Sequence, residues 1–152
     1  AQIDAQTLRV SPDTIEPLLE GRTIVFDACD NLQTRDVLNR ACLGRKLPWI
    51  YGGVLATSGM VCPFLPGHGA CLSCVFPVLP DAQTLPTTAE IGILSSLPPL
   101  IAAWQVSEGF KVAMGIIPAE SAARLTYVDP WQLEAQFMPI ERLPQCEVCG
   151  DI

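Results

Sequence analysis

Four of the seven cysteines form two C-x-x-C pairs, Cys71 with Cys74 and Cys146 with Cys149. Each pair can form a short knuckle, and together they supply the four thiolates that tetrahedral Zn²⁺ takes in structural sites. We therefore predict one zinc site that fastens the later pair to the loop carrying the earlier one. Because a four-cysteine shell leaves no open position, its role is structural rather than catalytic.

Two other uses of these cysteines stay open. A thioredoxin-like redox pair requires a C-x-x-C at the start of a helix after a strand, and the sequence around neither pair suggests that setting. Disulfides are the second alternative, which a cytoplasmic protein disfavours.

A second group of reactive side chains lies in "VFDACDNLQTRDVLNRAC", where an apolar run ends in acidic residues and a helical pattern follows. Ligands of α/β proteins bind at the carboxyl ends of strands, so Asp30 could hold Mg²⁺ beside a triphosphate. Arg35 could contact a phosphate or carboxylate in a bidentate manner. The alternative is that Asp30 only caps the helix, while Arg35 pairs with Asp36 or Glu16 on the surface.

The other cysteines and the single histidine favour plainer interpretations. Cys42 is expected in a helix core, and Cys29 and Cys62 in or near strands, where buried thiols are common. His68 lies in the loop-like "PGHGA". No Ser-His-Asp or Cys-His arrangement follows from these residues.

The elements that must position these groups predict an α/β fold. Asp30 or Asn31 is the expected N-cap of a helix that buries Leu38, Ala41 and Cys42 and stops near Gly44. The long Pro77–Pro86 stretch reads as a loop, and a later helix begins at Pro99, where proline is tolerated, and runs to about Gly115. Apolar and alternating runs predict strands over 22–28, 49–56, 59–65, 124–130 and 132–140, the last separating Leu133, Ala135 and Phe137 from Glu134 and Gln136.

Length, charge and hydropathy restrict the class of protein. A chain of 152 residues, 49% of them hydrophobic, matches one domain, 1–152. A net charge of −7 with two lysines argues against nucleic acid as a partner. No apolar run is long enough for a membrane span, and "AQIDAQTLRV" has no signal-peptide pattern, so we predict a cytoplasmic protein.

The ordered motifs resemble the ThiF/MoeB/HesA family of ubiquitin-activating-type adenylyltransferases. They read D-x-x-D-N-x-x-T-R, L-N-x-A-C, P-W-x-Y-G, G-x-C…C-x-F-P, A-E-x-G-x-L and C-x-V-C-G, and they extend from Ile24 to Gly150. The resemblance implies the C-terminal part of a Rossmann-like ThiF/MoeB fold, with a mixed sheet, helices and a four-cysteine zinc knuckle. It places Asp30 on the family's Mg-ATP aspartate, and Asn31 and Arg35 on the residues that follow it.

The implied reaction joins ATP to a small ubiquitin-like sulfur carrier of the thiamine or molybdopterin type. The carboxylate of the carrier's C-terminal glycine attacks the α-phosphate of ATP, which gives an acyl-adenylate and pyrophosphate. The carrier's tail is expected to pass under a crossover loop over 77–90. The resemblance also implies a homodimer.

Two departures from the family pattern modify these expectations. None of the eleven glycines falls in a G-x-G-x-x-G nucleotide loop, so we expect this chain to be the C-terminal portion of such a domain and to be inactive alone. Thr87 or Thr88 stands where many members carry a crossover cysteine, so no covalent carrier intermediate is expected there. The alternative function is a non-catalytic, zinc-stapled module that dimerises or docks a ubiquitin-like partner.

Overall fold

The computed structural model describes residues 1–79, 88–116 and 124–150 as a mixed α/β fold. Its helices and strands follow one another as α1 (Ile15–Leu19), β1 (Val25–Phe26), α2 (Leu32–Gly44), β2 (Trp49–Leu55), β3 (Ser58–Phe64), α3 (Leu72–Val75), α4 (Thr88–Ile91), α5 (Leu97–Ala113), β4 (Arg124–Asp129) and β5 (Glu134–Pro139). The predicted α/β class is therefore confirmed.

The five strands form one sheet in the order β1-β2-β3-β4-β5. β1 pairs with β2 in parallel, and every later pair is antiparallel, so the sheet is mixed. The β2–β3 hairpin closes through Ala56 and Thr57, because Leu55 pairs directly with Ser58. Ala56 has a φ of 52°, a left-handed conformation typical of a tight hairpin turn.

Helices cover both faces of this sheet, and the side chains of β2 alternate between the two faces. Trp49 and Tyr51 point into a core with α1 and α2, which contribute Ile15, Leu38 and Cys42. Ile50 points to the opposite face. There α5 packs over β2 and β3, and the buried residues of that second core are Ile50, Val61, Leu97, Ile101 and Val128.

The two long helices follow the expected boundaries closely. α2 begins after Asn31 and ends at Gly44, as predicted. α5 begins at Leu97, two residues before the predicted start at Pro99. Prolines fit there because the first turn of a helix has no intrahelical partner for their missing N–H.

The strands at the two edges differ from their predictions. β1 has two residues rather than the seven expected over 22–28. The alternation predicted around β5 does not produce a buried face: Phe137 is 55% exposed, and Leu133 lies before the strand with 93% exposure. The reason is that α5 packs mainly over β2 and β3 and reaches β5 through Trp104, whose ring lies 6.1 Å from that of Phe137.

Most of the Pro77–Pro86 stretch lies outside the described residues, and so does Thr87. Thr88 is exposed at the start of α4. Among the described helices, none has the length and apolar content needed to cross a membrane.

Candidate functional site

The two C-x-x-C pairs come together, although 75 residues separate Cys71 from Cys146. The four sulfur atoms all lie within 4.8 Å of one another. Cys71, Cys74 and Cys149 are buried, and Cys146 is half-buried. The predicted meeting of the two pairs is confirmed.

The spacing of the sulfurs fits a metal ion and not a disulfide. The Sγ–Sγ distances are 4.0 Å for Cys71–Cys74, 3.7 Å for Cys71–Cys146 and 3.5 Å for Cys74–Cys149. Metal–sulfur bonds of about 2.3 Å place the corners of a tetrahedron about 3.8 Å apart. A disulfide requires about 2.05 Å, and all seven cysteines are free. The four cysteines are thus positioned to hold a metal.

The earlier pair lies at the start of a short helix. Cys71 does begin a helix, because it is the N-cap of α3. That helix has four residues, however, and residues 65–71 separate it from the end of β3, so it lacks the strand-to-helix step of a thioredoxin-like redox pair.

Backbone contacts hold the later pair in place. The backbone N–H of Gly150 donates to the carbonyl of Cys146 (2.8 Å), and the N–H of Leu143 donates to Sγ of Cys74 (3.5 Å). Arg142 Nη2 donates to the carbonyl of Cys149. A Cβ at position 150 would lie 2.6 Å from the Cys146 carbonyl oxygen, so the knuckle requires glycine there.

Hydrogen bonds also favour one ligand thiolate. Burial disfavours the charged form of Cys146, but backbone hydrogen bonds from Val148 and Cys149 outweigh it and lower its pKa to about 7. In contrast, burial raises the pKa of Cys71. A bound cation would supply the charge that compensates a buried thiolate.

The acidic turn after β1 is organised by a buried ion pair that the sequence analysis missed. Arg35 Nε donates to Oδ2 of Asp27 at 2.7 Å, and the Asp27 side chain has no exposed area. Arg35 Nη2 donates to the carbonyls of Cys29 (2.5 Å) and Gly52 (2.8 Å). The guanidinium also lies over the ring of Tyr51, 4.9 Å from its centroid. Arg35 thus ties the turn to β2.

Asp27 fixes the same turn from its other carboxylate oxygen. Oδ1 accepts from the backbone N–H of Cys29 at 2.7 Å. From the opposite face of the sheet, Gln105 Nε2 donates to the carbonyls of Asp27 (2.8 Å) and Ile50 (2.9 Å). The backbone immediately before Asp30 is therefore held on both sides.

The sequence left open whether Asp30 or Asn31 caps α2. Asn31 is the N-cap, because its Oδ1 accepts from the backbone N–H of Thr34 at 2.8 Å. Asp30 is exposed and accepts a 2.9 Å hydrogen bond from Asn31 Nδ2. The alternative that Asp30 is the helix cap is wrong.

The alternative surface pairing of Arg35 is wrong as well. Asp36 pairs with Arg40 and Glu16 pairs with Arg45. Arg35 has a side chain only 10% exposed and pairs with Asp27. The predicted contact of Arg35 with a phosphate stays a prediction.

Three polar residues that the sequence analysis passed over are buried near these sites: Asp27, Asn39 and Gln105. Each interrupts an apolar pattern in the sequence, and this interruption was the signal that could have identified it as a buried polar residue. Asn39 lies between the core residues Leu38 and Cys42 and one helical turn after Arg35. A polar side chain at a core position of a helix requires a buried partner.

A family model described as the ThiF family matches residues 1–148. The chain belongs to the ThiF family. This ThiF-family chain spans about half the length of the first curated relatives that it matches. It is 30% identical to the SAMP-activating enzyme E1 of Haloferax volcanii over 143 residues. That alignment covers 94% of this chain and 52% of that protein. The chain is also 30% identical over 155 residues to a sulfur carrier protein adenylyltransferase of Thermus thermophilus, with 99% and 57% covered.

Solved structures agree with the fold of this ThiF-family chain. A crystal structure of E. coli MccB with ATP superimposes with a TM-score of 0.75 at 16% identity, over 94% of this chain and 44% of that one. At this identity the likeness concerns the fold alone. The predicted family and the predicted Rossmann-like ThiF/MoeB architecture with its four-cysteine cluster are confirmed.

Proposed function

We propose that this chain is part of an ATP-dependent adenylyltransferase that activates the C-terminal glycine of a ubiquitin-like sulfur carrier. The observation that carries the proposal is the exposed carboxylate of Asp30 in the turn that follows the parallel strand β1, where Asn31 and not Asp30 caps α2. Membership of the ThiF family and relatives named as adenylyltransferases support it. We also propose that residues 1–152 are the C-terminal portion of a larger catalytic domain. This agrees with the observation that the chain spans only about half the length of these relatives.

Asp30 is the proposed ligand of Mg²⁺ beside the triphosphate, with Asn31 next to the nucleotide. When bound, Mg²⁺ would neutralise triphosphate charge as the carrier's carboxylate attacks the α-phosphate and pyrophosphate leaves. Such transfers depend mainly on positioning and charge neutralisation, so a fixed carboxylate is a sufficient contribution from this part of the chain. The Asn31 amide orients the carboxylate through its 2.9 Å hydrogen bond.

Arg35 contributes to this proposal by holding the turn that presents Asp30. Its Nε and Nη2 bind Asp27, Cys29 and Gly52, so a shift of the turn at 27–29 would break these buried contacts. Preorganisation of this kind matters because small displacements of a catalytic group cost large factors in rate.

The four-cysteine cluster is assigned to structural zinc. Its thiolate ligands are the chemistry that Zn²⁺ prefers, and its closed shell offers no open position to a substrate. The homodimer, the thiamine or molybdopterin type of carrier and the cytoplasmic location, which the sequence predicts, remain parts of the proposal.

The proposal is tested by ATP–pyrophosphate exchange with ubiquitin-like carriers, using the full-length protein encoded by the gene. Asp30→Asn should lower exchange at least about 100-fold while the free energy of unfolding stays unchanged, because the amide lacks the metal-binding charge. Asp36→Asn, which removes a carboxylate one turn into the same helix, is the matched control and should remain active. Full activity of Asp30→Asn would reject the assignment. A wild-type protein that binds a carrier without any exchange would support the docking module instead.

A further inference from the structure

Asn39 has a fully buried side chain, with 0% exposure, on the face of α2 that meets α3. Its Oδ1 accepts a hydrogen bond from the backbone N–H of Leu72 at 3.1 Å, and its Nδ2 donates to Ser73 Oγ at 3.2 Å. Leu72 and Ser73 are the two residues between Cys71 and Cys74. The whole hydrogen-bonding end of this side chain is thus directed at the earlier cysteine knuckle.

The first of these bonds satisfies a group that the knuckle cannot satisfy itself. Leu72 opens α3, and the first N–H groups of a helix have no intrahelical acceptor. The N-cap, Cys71, makes no side-chain capping bond. Leu72 is 1% exposed, so water is excluded from it as well. Asn39 therefore supplies from another helix the cap that α3 lacks.

This cap lies on the backbone segment that joins the two sulfur ligands. The backbone N–H of Cys74 donates to the carbonyl of Cys71 at 3.0 Å, so the two ligands share one tight turn. A turn fixed at Leu72 and Ser73 leaves little freedom for the Sγ atoms on either side. A metal centre binds tightly when such outer contacts hold its ligands in place before the ion arrives.

We propose that Asn39 is a positioning residue of the metal centre, which holds the Cys71–Cys74 knuckle in its metal-binding conformation. Because Asn39 lies one turn after Arg35 on α2, the same helix anchors both the knuckle and the turn that carries Asp30. The proposal concerns metal binding alone and does not depend on the proposed adenylylation.

Metal affinity of the full chain, measured by competition with a chromophoric zinc chelator, tests this role. Asn39→Leu keeps the number and branching of the side-chain heavy atoms and removes both hydrogen bonds, and it should weaken zinc binding about 10–100-fold. Ser73→Ala removes only the Nδ2 contact at a less buried position and should give a smaller loss. The expected order of affinity is wild type, then Ser73→Ala, then Asn39→Leu.

Cys42→Ala is the matched control, because Cys42 is also 0% exposed and lies three residues further along α2, but packs in the main core. It should lower stability while its zinc affinity stays within about threefold of wild type. The visible spectrum of the Co²⁺-substituted protein should change in Asn39→Leu and not in Cys42→Ala, since that spectrum reports ligand geometry.

Wild-type zinc affinity and an unchanged Co²⁺ spectrum in Asn39→Leu would overturn the proposal. An equal loss of affinity in Cys42→Ala would overturn it too, because the effect would then be general destabilisation. If Asn39→Leu does not fold, Ser73→Ala decides: unchanged affinity and spectrum in that variant reject the role, and a loss supports it.

Discussion

Arg35 and Asp27 form a buried ion pair, with Nε of the arginine 2.7 Å from Oδ2 of the aspartate. We expect Arg35→Met to lower the free energy of unfolding by about 3–5 kcal/mol, because it leaves an uncompensated carboxylate in the interior. Urea unfolding followed by circular dichroism measures the loss. The matched control is Arg40→Met, whose pair with Asp36 is 55% exposed on the arginine side and should be worth less than about 1 kcal/mol. Equal losses would contradict the structural role of Asp27.

Capping of α2 predicts opposite outcomes for two adjacent residues. Asn31→Ala should cost about 1 kcal/mol of stability, because the N–H of Thr34 loses its acceptor. Asp30→Ala should cost much less, since Asp30 is exposed and caps nothing. Both values come from the same urea titrations. The reverse order would return the capping role to Asp30.

Stability should fall at alkaline pH because of two buried thiols. Burial, with a smaller contribution from Glu108, raises the pKa of Cys62 to about 12, and burial raises that of Cys42 to about 12. An unfolded thiol ionises near its ordinary pKa of 9.0, so the unfolded state loses protons first as the pH rises. The stabilisation is therefore complete below pH 9 and declines between pH 9 and 12, by at most about 1.4 kcal/mol per pH unit and thiol.

Cys62→Ala isolates one of these thiols. Its unfolding free energy should decline less steeply than that of the wild type between pH 9 and 10.5, whatever the variant's stability at pH 8. Urea titrations at four pH values give the two slopes. Parallel slopes would show that Cys62 does not titrate differently in the two states.

Metal analysis of protein purified under reducing conditions should find about one zinc ion per chain. Removal of the ion by a chelator should lower the melting temperature, because metal-binding free energy contributes directly to folding. Cys149→Ser should lose the ion, whereas Cys29→Ser, outside the cluster, should retain it. Disulfides without metal in reduced protein would refute the single-site interpretation.

Some of this structure followed from local sequence signals. The metal cluster was predictable because C-x-x-C spacing constrains two ligands at once, and only the meeting of the pairs required the fold. α2 was predictable because Asn31 and Gly44 mark its ends while Leu38 and Cys42 mark its buried face. The β2–β3 hairpin was predictable from branched apolar runs on either side of a turn.

The buried polar contacts were not predictable in the same way. The sequence alone does not indicate that Arg35 pairs with Asp27, eight residues earlier. A surface pairing of Arg35 with Asp36 is equally compatible with the sequence. The same holds for Gln105, whose partners lie 78 and 55 residues away. Exposure of β5 also depends on how far α5 reaches across the sheet, which is a tertiary property.

The distance between the cysteine pairs has a consequence for synthesis on the ribosome. Cys71 leaves the ribosome 75 residues before Cys146, which at about 5–20 residues per second is a delay of roughly 4–15 s. All five strands, which end at Pro139, have been made before the second pair emerges. During that interval the nascent chain offers a metal ion two ligands out of four. The cluster can therefore close only after all the strands of the described sheet have been translated.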